Sequence, residues 1–387
     1  MKTTKNYVIG ISSGTSFDGI DVALVKFTNK SLTPRFVDGI VYEYPKIIKD
    51  RIRKLIIETC HGMSQRSGIH LSESSQLNFL LGEIFGEAVL QIIEKNKLKS
   101  KNILLIGSHG QTIFHHPQIE EFGKYKVRST LQIGESSIIA QRTGIKTVSN
   151  FREADIAAGG QGAPLVPYLD WTVFNKSKNV KAVLNIGGIS NVTIVGKNVV
   201  PIAFDIGPGN ALIDLLAKDY FKKDFDQGGK LALKGSVYFS CVEKALKDLY
   251  FNKKPPKSTG KEYFNLSFIK KYFSEIKKKE DKIATLTYFT ARTIQYSFQK
   301  FVFPRYKVDE LVISGGGIKN KTLMRTLKLL FPNLTISSSD KYDLPSKYKE
   351  AILFALLGYT CHLGKTNNIP SCTGAKKKVI LGKMTKA

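Results

Sequence analysis

The sequence predicts an α/β protein built as two lobes, and three features predict it. A β-run, a glycine turn and a second β-run follow one another at residues 8–27 and again at residues 182–195, so the same unit opens two halves of the chain. A third glycine turn joins a strand to a helix within residues 311–331. The length of 387 residues exceeds what one core ordinarily supports, which points to two domains of roughly 150 to 220 residues each. We place the boundary near 145, giving an N-terminal domain of residues 1–145 and a C-terminal domain of residues 146–369. Residues 370–387 are expected to return to the first domain as a tail.

Taken in order, residues 8–27 place apolar runs on both sides of Gly10 to Gly19. Backbone N–H groups and the hydroxyls of Ser13, Thr15 and Ser16 would gather round a small concavity, where an anion can sit without side-chain bulk in the way. Asp18 among them makes sense if a cation separates it from a phosphate, and Mg²⁺ on a nucleotide is the usual one. A plain hairpin in which Gly, Ser and Asp only make the turn is the other reading. The segment lacks GxxxxGK[ST], and it leads into the alternation Ile20, Val22, Leu24 instead of a helix, which argues against a Walker-type or Rossmann loop.

Residues 45–97 read as helical, with apolar positions at 3.6 spacing over 76–95. A strand at 102–108 then delivers 108–117 to a loop, and 130–144 runs from a strand into a helix. Residues 145–174 combine a strand, a long Gly-rich loop and a helix start, and loops of that composition between ordered elements are usually functional. The unit at 182–195 repeats the first hairpin in shape, which suggests internal duplication. Residues 203–221 give a strand end, Asp205, the turn Gly207-Pro208-Gly209 and a helix. Residues 284–303 look helical, and 311–331 supply the third glycine turn, Gly315-Gly316-Gly317. Helix N-termini after such turns are good anion sites, and two α/β halves with these turns describe a nucleotide cleft by analogy of fold.

The formal net charge is +27, from 59 Lys+Arg against 32 Asp+Glu. The lysines are scattered singly and in short runs with no dense basic tract, so no nucleic-acid partner is expected, although anionic small ligands would be attracted. Cys60, Cys241, Cys361 and Cys372 form no CxxC pair, which indicates neither a zinc site nor a disulfide framework. The N-terminus has no apolar signal-like region, and no apolar run is expected to span a bilayer, so we expect a cytoplasmic protein with no membrane partner.

Several segments then resemble one family. They are SGTSFDGID (13–21), GSHGQTIFHHP (107–117), TLQIG (130–134), FREADIAAGGQGAPLVP (151–167), LNIGGISN (184–191), FDIGPGN (204–210), PPKSTGKEYFN (255–265) and TLTYFTA (285–291). GGG with Asn320 and Leu323, EAILFA (350–355) and PSCTGA with a later LG (370–382) complete the set, in order along nearly the whole chain. The pattern is similar to that of the anhydro-N-acetylmuramic acid kinases. The resemblance implies a two-domain actin-like ATPase (ribonuclease H-like) sugar kinase fold with a central ATP/sugar cleft. It also implies ATP and Mg²⁺ as cofactors and a 1,6-anhydro sugar as substrate. The sugar would be phosphorylated on O6 while water opens the anhydro bridge, giving N-acetylmuramic acid 6-phosphate for peptidoglycan recycling. A homodimer is the assembly that the family favours, although the apolar positions of 285–303 could serve a core or an interface equally.

Carried onto this chain, the resemblance makes Asp205 the base that activates water, with an Asp that caps the helix or starts the turn as the structural alternative. Gly14, Thr15, Ser16, Asp18, Gly19 and Asp21 would hold the ATP phosphates, with Asp18 on Mg²⁺ directly or through water; Asp21 either joins the ligands or closes the hairpin. Gly187 and Gly188 would form the second phosphate contact, next to Gly207 and Gly209, and Gly315, Gly316 and Gly317 would let the nucleoside lie against the backbone. Arg152 suits bidentate pairing with a lactyl carboxylate, or a salt bridge to Asp155. His109 and Gln111 would be polar groups near the sugar, or buried and satisfied. Glu350 would accept sugar hydroxyls, or favour its helix N-terminus. His115 and His116 have no partners at metal spacing.

Four positions depart from the family pattern: Ser12 for Met, Asn150 for Asp, Ile206 for Thr and Gly228 for an acid. Ile206, next to the expected base, raises the question of how Asp205 is oriented. These departures keep open a levoglucosan-type anhydro-sugar kinase, and a non-catalytic nucleotide- or sugar-binding sensor.

Overall fold

The computed structural model describes residues 7–14, 19–28, 31–61 and 71–387, with residues 57–61 described by backbone alone. The chain divides into two compact units. One takes in the chain up to Val173 and again from Asp343 to Ala387, and the other is Phe174–Tyr342.

In the first unit, β1 (Tyr7–Ser13), β2 (Gly19–Thr28) and β3 (Ser31–Glu43) form an antiparallel meander. β4 (Ile103–Phe122) lies parallel to β1 on its other side, and β5 (Tyr125–Ile133) folds back on the far half of β4. β6 (Thr147–Ser149) continues the sheet parallel to β4. Alternation sorts the central strands: Ile9, Ile11, Ile20, Val22 and Leu24 enter one core with the helix Leu71–Lys95, while Val8, Ala23, Val25 and Leu105 enter the other with the helix Lys349–His362.

The second unit repeats this order. β7 (Lys181–Ile186), β8 (Ile189–Val195) and β9 (Ile202–Pro208) make the meander, β10 (Glu310–Ser314) runs parallel to β7, and β11 (Thr335–Ser338) runs parallel to β10. The duplication suggested by two glycine hairpins is therefore present as topology. One face of this sheet packs with the helices Lys279–Ser297 and Lys321–Leu330.

Several expectations are corrected. Residues 108–117 are strand and not loop, because β5 pairs along them from Gln111↔Ile133 to His116↔Ser129, and polar residues mask the pattern. The boundary near 145 falls inside the first unit: β6 extends the first sheet, and the helix Lys349–His362 packs on β1 and β4, so residues 146–173 and 343–369 fold there. The tail belongs to the same unit, where β12 (Lys383–Thr385) pairs with β6. The helix Leu71–Lys95 is, contrary to the sequence reading, long and apolar enough to cross a membrane by length and composition. Its Leu77, Leu81, Phe85, Ala88, Val89 and Ile92 are buried in the first core, which accounts for that composition.

Two glycines place the helix Lys349–His362. A Cβ on Gly10 would stand 1.8 Å from the Ala351 carbonyl oxygen, and one on Gly107 would stand 2.0 Å from that of Phe354. Only glycine allows the helix to come this close to β1 and β4, and the approach sets Glu350 and Phe354.

Candidate functional site

In the second unit, the site is built round Asp205 on β9. Its Oδ2 accepts a hydrogen bond from the Thr259 N–H at 3.0 Å. Its own N–H donates to the Lys257 carbonyl at 3.0 Å, and its carbonyl accepts from the Tyr250 hydroxyl at 2.7 Å. Burial pushes the carboxyl up to about 6, against the pull of the Thr259 N–H and of the Lys257 ammonium, with Glu262 adding to the rise. Among the described residues, Oδ1 carries no hydrogen bond. Asp205 therefore neither caps the following helix nor makes the turn: Asn210 is the cap residue there. A half-buried carboxylate with one oxygen fixed and a proton affinity near neutrality is equipped to take a proton.

Lys257 sits with its Nζ 4.6 Å from the centre of the Tyr250 ring and 4.9 Å from that of Phe301. Burial lowers its ammonium to about 8, helped by Lys300 and opposed by Asp205. Ile206 turns the other way, as a strand's period of two requires, and is fully buried among Ile186, Val192 and Ile294. It cannot orient Asp205, so the loss of a Thr hydroxyl at this position is a change in the core.

The glycines divide by role. Gly207 has φ +156°, and a Cβ there would meet Phe251 at 2.8 Å. A Cβ on Gly209 would stand 2.3 Å from the Gly187 carbonyl oxygen, because the N–H groups of Gly209 and Asn210 donate to the carbonyls of Gly188 and Gly187, both at 2.8 Å. Gly315 (φ +87°) and Gly317 press against Ile186, whereas a Cβ on Gly316 would make an ordinary contact with the Asn210 side-chain nitrogen at 3.8 Å.

Gly316 lines a cavity of about 260 Å³ with Asn210, Asp214, Phe225, Gly228 and Asn320. Asp214 there is pushed up to about 6 by burial, eased by Lys261 and reinforced by Asp226. Gly228 has φ +67° and open space beyond its Cβ position, so the absent acid leaves no packing defect.

In the first unit, His109 on β4 is buried and stacks on Phe354 with ring centres 4.4 Å apart. Its Nε2 accepts from Arg152 Nε at 3.1 Å and Nη2 at 2.9 Å, so this nitrogen carries no proton. Burial and the Arg152 charge hold its pKa well below the ordinary range. Arg152 also donates through Nη1 to the Gly162 carbonyl at 2.8 Å. No salt bridge to Asp155 forms: that carboxylate is fully buried and accepts from the Gly162 N–H, Asn368 and Thr373. Arg152 makes no ion pair among the described residues; burial lowers it to about 10 while Glu350 and Glu153 sustain its charge.

Gln111 is fully buried and bonded to Ser13 and to the Thr112 carbonyl, with Ser13 passing the network to Tyr44, so it braces the end of β1. Ser12 donates to Glu350 at 3.1 Å, and the neighbouring Lys349 forms a buried pair with Asp170 at 2.7 Å. Asp21 stands opposite Ser12, is pushed up to about 6 by burial with Lys347 opposing and Glu350 reinforcing, and faces Lys347 at 3.9 Å. Gly19 is needed for packing, since a Cβ there would meet the Tyr42 carbonyl at 2.6 Å. Gly14 ends the described part of that turn; Thr15, Ser16 and Asp18 lie outside the described residues. Asn150 (φ +59°) donates to Glu153 at 2.7 Å, which an aspartate could not do. His115 bonds Thr130 at 3.1 Å and is lowered to about 4, chiefly by burial.

The sequence reading missed Asp214 and the strap at residues 255–265 that grips Asp205. The strap was visible only as a matching motif, since its contact is with a strand fifty residues earlier.

Two sheets of the same order, three antiparallel strands followed by two parallel ones, define an actin-like ATPase fold. The family model for anhydro-N-acetylmuramic acid kinase matches residues 6–387. Curated proteins of that name are 44% identical in Caldanaerobacter subterraneus, over 98% of this chain and 96% of the relative, and 41% identical in Clostridioides difficile, over 98% of both. The chain belongs to the anhydro-N-acetylmuramic acid kinase family. Among solved structures, component A of (R)-2-hydroxyglutaryl-CoA dehydratase from Acidaminococcus fermentans aligns at 15% identity and TM-score 0.43, covering 92% of this chain and 98% of that one.

Proposed function

We propose that this protein transfers the γ-phosphoryl group of ATP to O6 of 1,6-anhydro-N-acetylmuramic acid and opens the anhydro bridge with water, releasing ADP and N-acetylmuramic acid 6-phosphate. The observation that carries the reading is Asp205, with one oxygen held by Thr259, the other without a bond among the described residues, and a pKa near 6. Water adds to C1 and the C1–O6 bond breaks; O6 takes the phosphoryl group, and Asp205 takes the proton of the water.

The relatives' name supplies the sugar, and Arg152 supports it. A half-buried guanidinium with no carboxylate partner among the described residues suits the lactyl carboxylate, and neutral His109 fixes its plane. Glu350 would receive sugar hydroxyls, while Gln111 acts as a brace. For the nucleotide, the cavity beside Gly316 would take the nucleoside, with Asp214 able to accept from ribose hydroxyls. Mg²⁺ would neutralise phosphate charge at Asp18, and Asp21, whose carboxyl is pushed up by burial with Lys347 opposing and Glu350 reinforcing, would add negative charge at the start of β2.

The test is incubation with ATP, Mg²⁺ and the anhydro sugar in ¹⁸O-water. The expected product is a 6-phosphate with ¹⁸O at C1; ADP release without a sugar phosphate, or a 6-phosphate without the label, would overturn the reading.

A further inference from the structure

The strap of residues 255–265 does more than hold Asp205. Beyond Thr259, it lays the stem of Lys261 over the second glycine turn: a Cβ on Gly188 would stand 2.7 Å from Lys261 Cε and 3.6 Å from its Nζ. The carbonyls of Gly187 and Gly188 are already occupied by the N–H groups of Asn210, Gly209 and Ala211. The Gly188 N–H, by contrast, gives no hydrogen bond among the described residues. Lys261 itself is exposed, makes no ion pair among them, and has Asp214 as the acid close enough to feel its charge. Two donors, one a full charge and the other a backbone amide, thus lie together at Gly188, which bonds to the turn after the strand that carries Asp205.

From this geometry we propose that Lys261, together with the Gly188 N–H, binds the terminal phosphates of the nucleotide. The inference rests on the reading of Gly187-Gly188 as a phosphate turn and adds to it the cation that phosphoryl transfer requires, since glycine turns neutralise charge only through dipoles. It also explains why one segment carries both contacts. Lys261 follows Thr259 by two residues, so a phosphate held by the lysine and the base held by the Thr259 N–H share one piece of backbone. A Lys serves here as a point charge on a flexible stem, suited to a phosphate whose charge shifts during transfer.

The test is nucleotide binding to the full chain, by calorimetry with Mg²⁺ and no sugar, using ATP, ADP, AMP and adenosine. Lys261→Met should weaken ATP and ADP by roughly 10- to 100-fold, the range for loss of one charge-assisted contact, and leave AMP and adenosine unchanged. Lys261→Arg should restore most of the loss. Gly188→Ala, which displaces the lysine stem by adding the Cβ, should reproduce the selective loss with the lysine still present. Equal losses for all four ligands, or none, would overturn the assignment. If wild-type protein binds adenosine but gains nothing from added phosphates, the phosphate turn itself is misread. If wild-type binds none of the four, the nucleotide reading fails with it.

Discussion

Replacing Asp205 by Asn should sharply lower turnover and stabilise the fold, and the two effects have one origin. In the folded protein burial pushes this carboxyl up to about 6 from an ordinary 3.8. Between those values the folded state binds more protons than the unfolded chain, so wild-type stability is fully present below about pH 4 and falls as pH rises through 6. The difference of about 2 pH units at 1.36 kcal/mol each gives a ceiling of about 3 kcal/mol at pH 7, reduced in practice because the carboxylate is partly exposed. Asn keeps the acceptor for the Thr259 N–H and carries no charge to bury, so the stability gap over wild type should open between pH 4 and 7 and then level off. Urea unfolding at pH 5, 6 and 7 reads this gap, and the ADP-release assay reads turnover, which should fall about 10²- to 10⁴-fold on loss of a general base. Wild-type kcat/KM should show an acid limb centred near 6. Parallel stability curves for the two proteins would refute the burial argument, and turnover near wild type in the Asn variant would refute the role of the base.

Three further outcomes follow from the same geometry. Arg152→Ala should lower kcat/KM for anhydro-N-acetylmuramic acid by roughly 10- to 100-fold and spare levoglucosan, which has no lactyl carboxylate; equal losses would remove carboxylate recognition from Arg152. Ile206→Thr should cost about 1–3 kcal/mol by burying a hydroxyl among Ile186, Val192 and Ile294, with turnover per folded molecule unchanged; a gain in turnover would show that residue 206 does act on Asp205. Gly107→Ala forces a Cβ against the Phe354 carbonyl, 2.0 Å away, and the helix carrying Glu350 must retreat. A loss of about 1–3 kcal/mol or more in thermal or urea unfolding is expected, and wild-type stability in that variant would contradict the close packing.

Much of the fold was legible because residues 8–11 are a continuous apolar run, Ile20, Val22 and Leu24 alternate, and the glycine-rich segment between them announces a hairpin. What was not legible has specific causes. β4 beyond Ser108 reads as a loop because His109, Gln111, His115 and His116 interrupt the alternation, yet β5 pairs with it residue by residue. The boundary near 145 follows sequence order, but the sheet does not: β6 and the helix Lys349–His362 join β1 and β4 from far along the chain.

The site shows the same division. Asp205 and Arg152 are singled out through the family resemblance, on the motifs FDIGPGN and FREADIAAGGQGAPLVP that carry them. Which residues partner them could not be read this way. His109 reaches Arg152 across 43 residues, and Thr259 reaches Asp205 across 54. Both links join residues far apart in the chain, and neither leaves a pattern in sequence spacing. Ile206 shows the converse: adjacent to Asp205 in sequence, it lies on the opposite face of β9, while the bond to the Asp205 carboxylate comes from the strap. The residues that tune this site are therefore to be sought along residues 255–265, where Lys257 sets charge beside the carboxylate, Thr259 fixes one of its oxygens and Lys261 lies over the glycine turn.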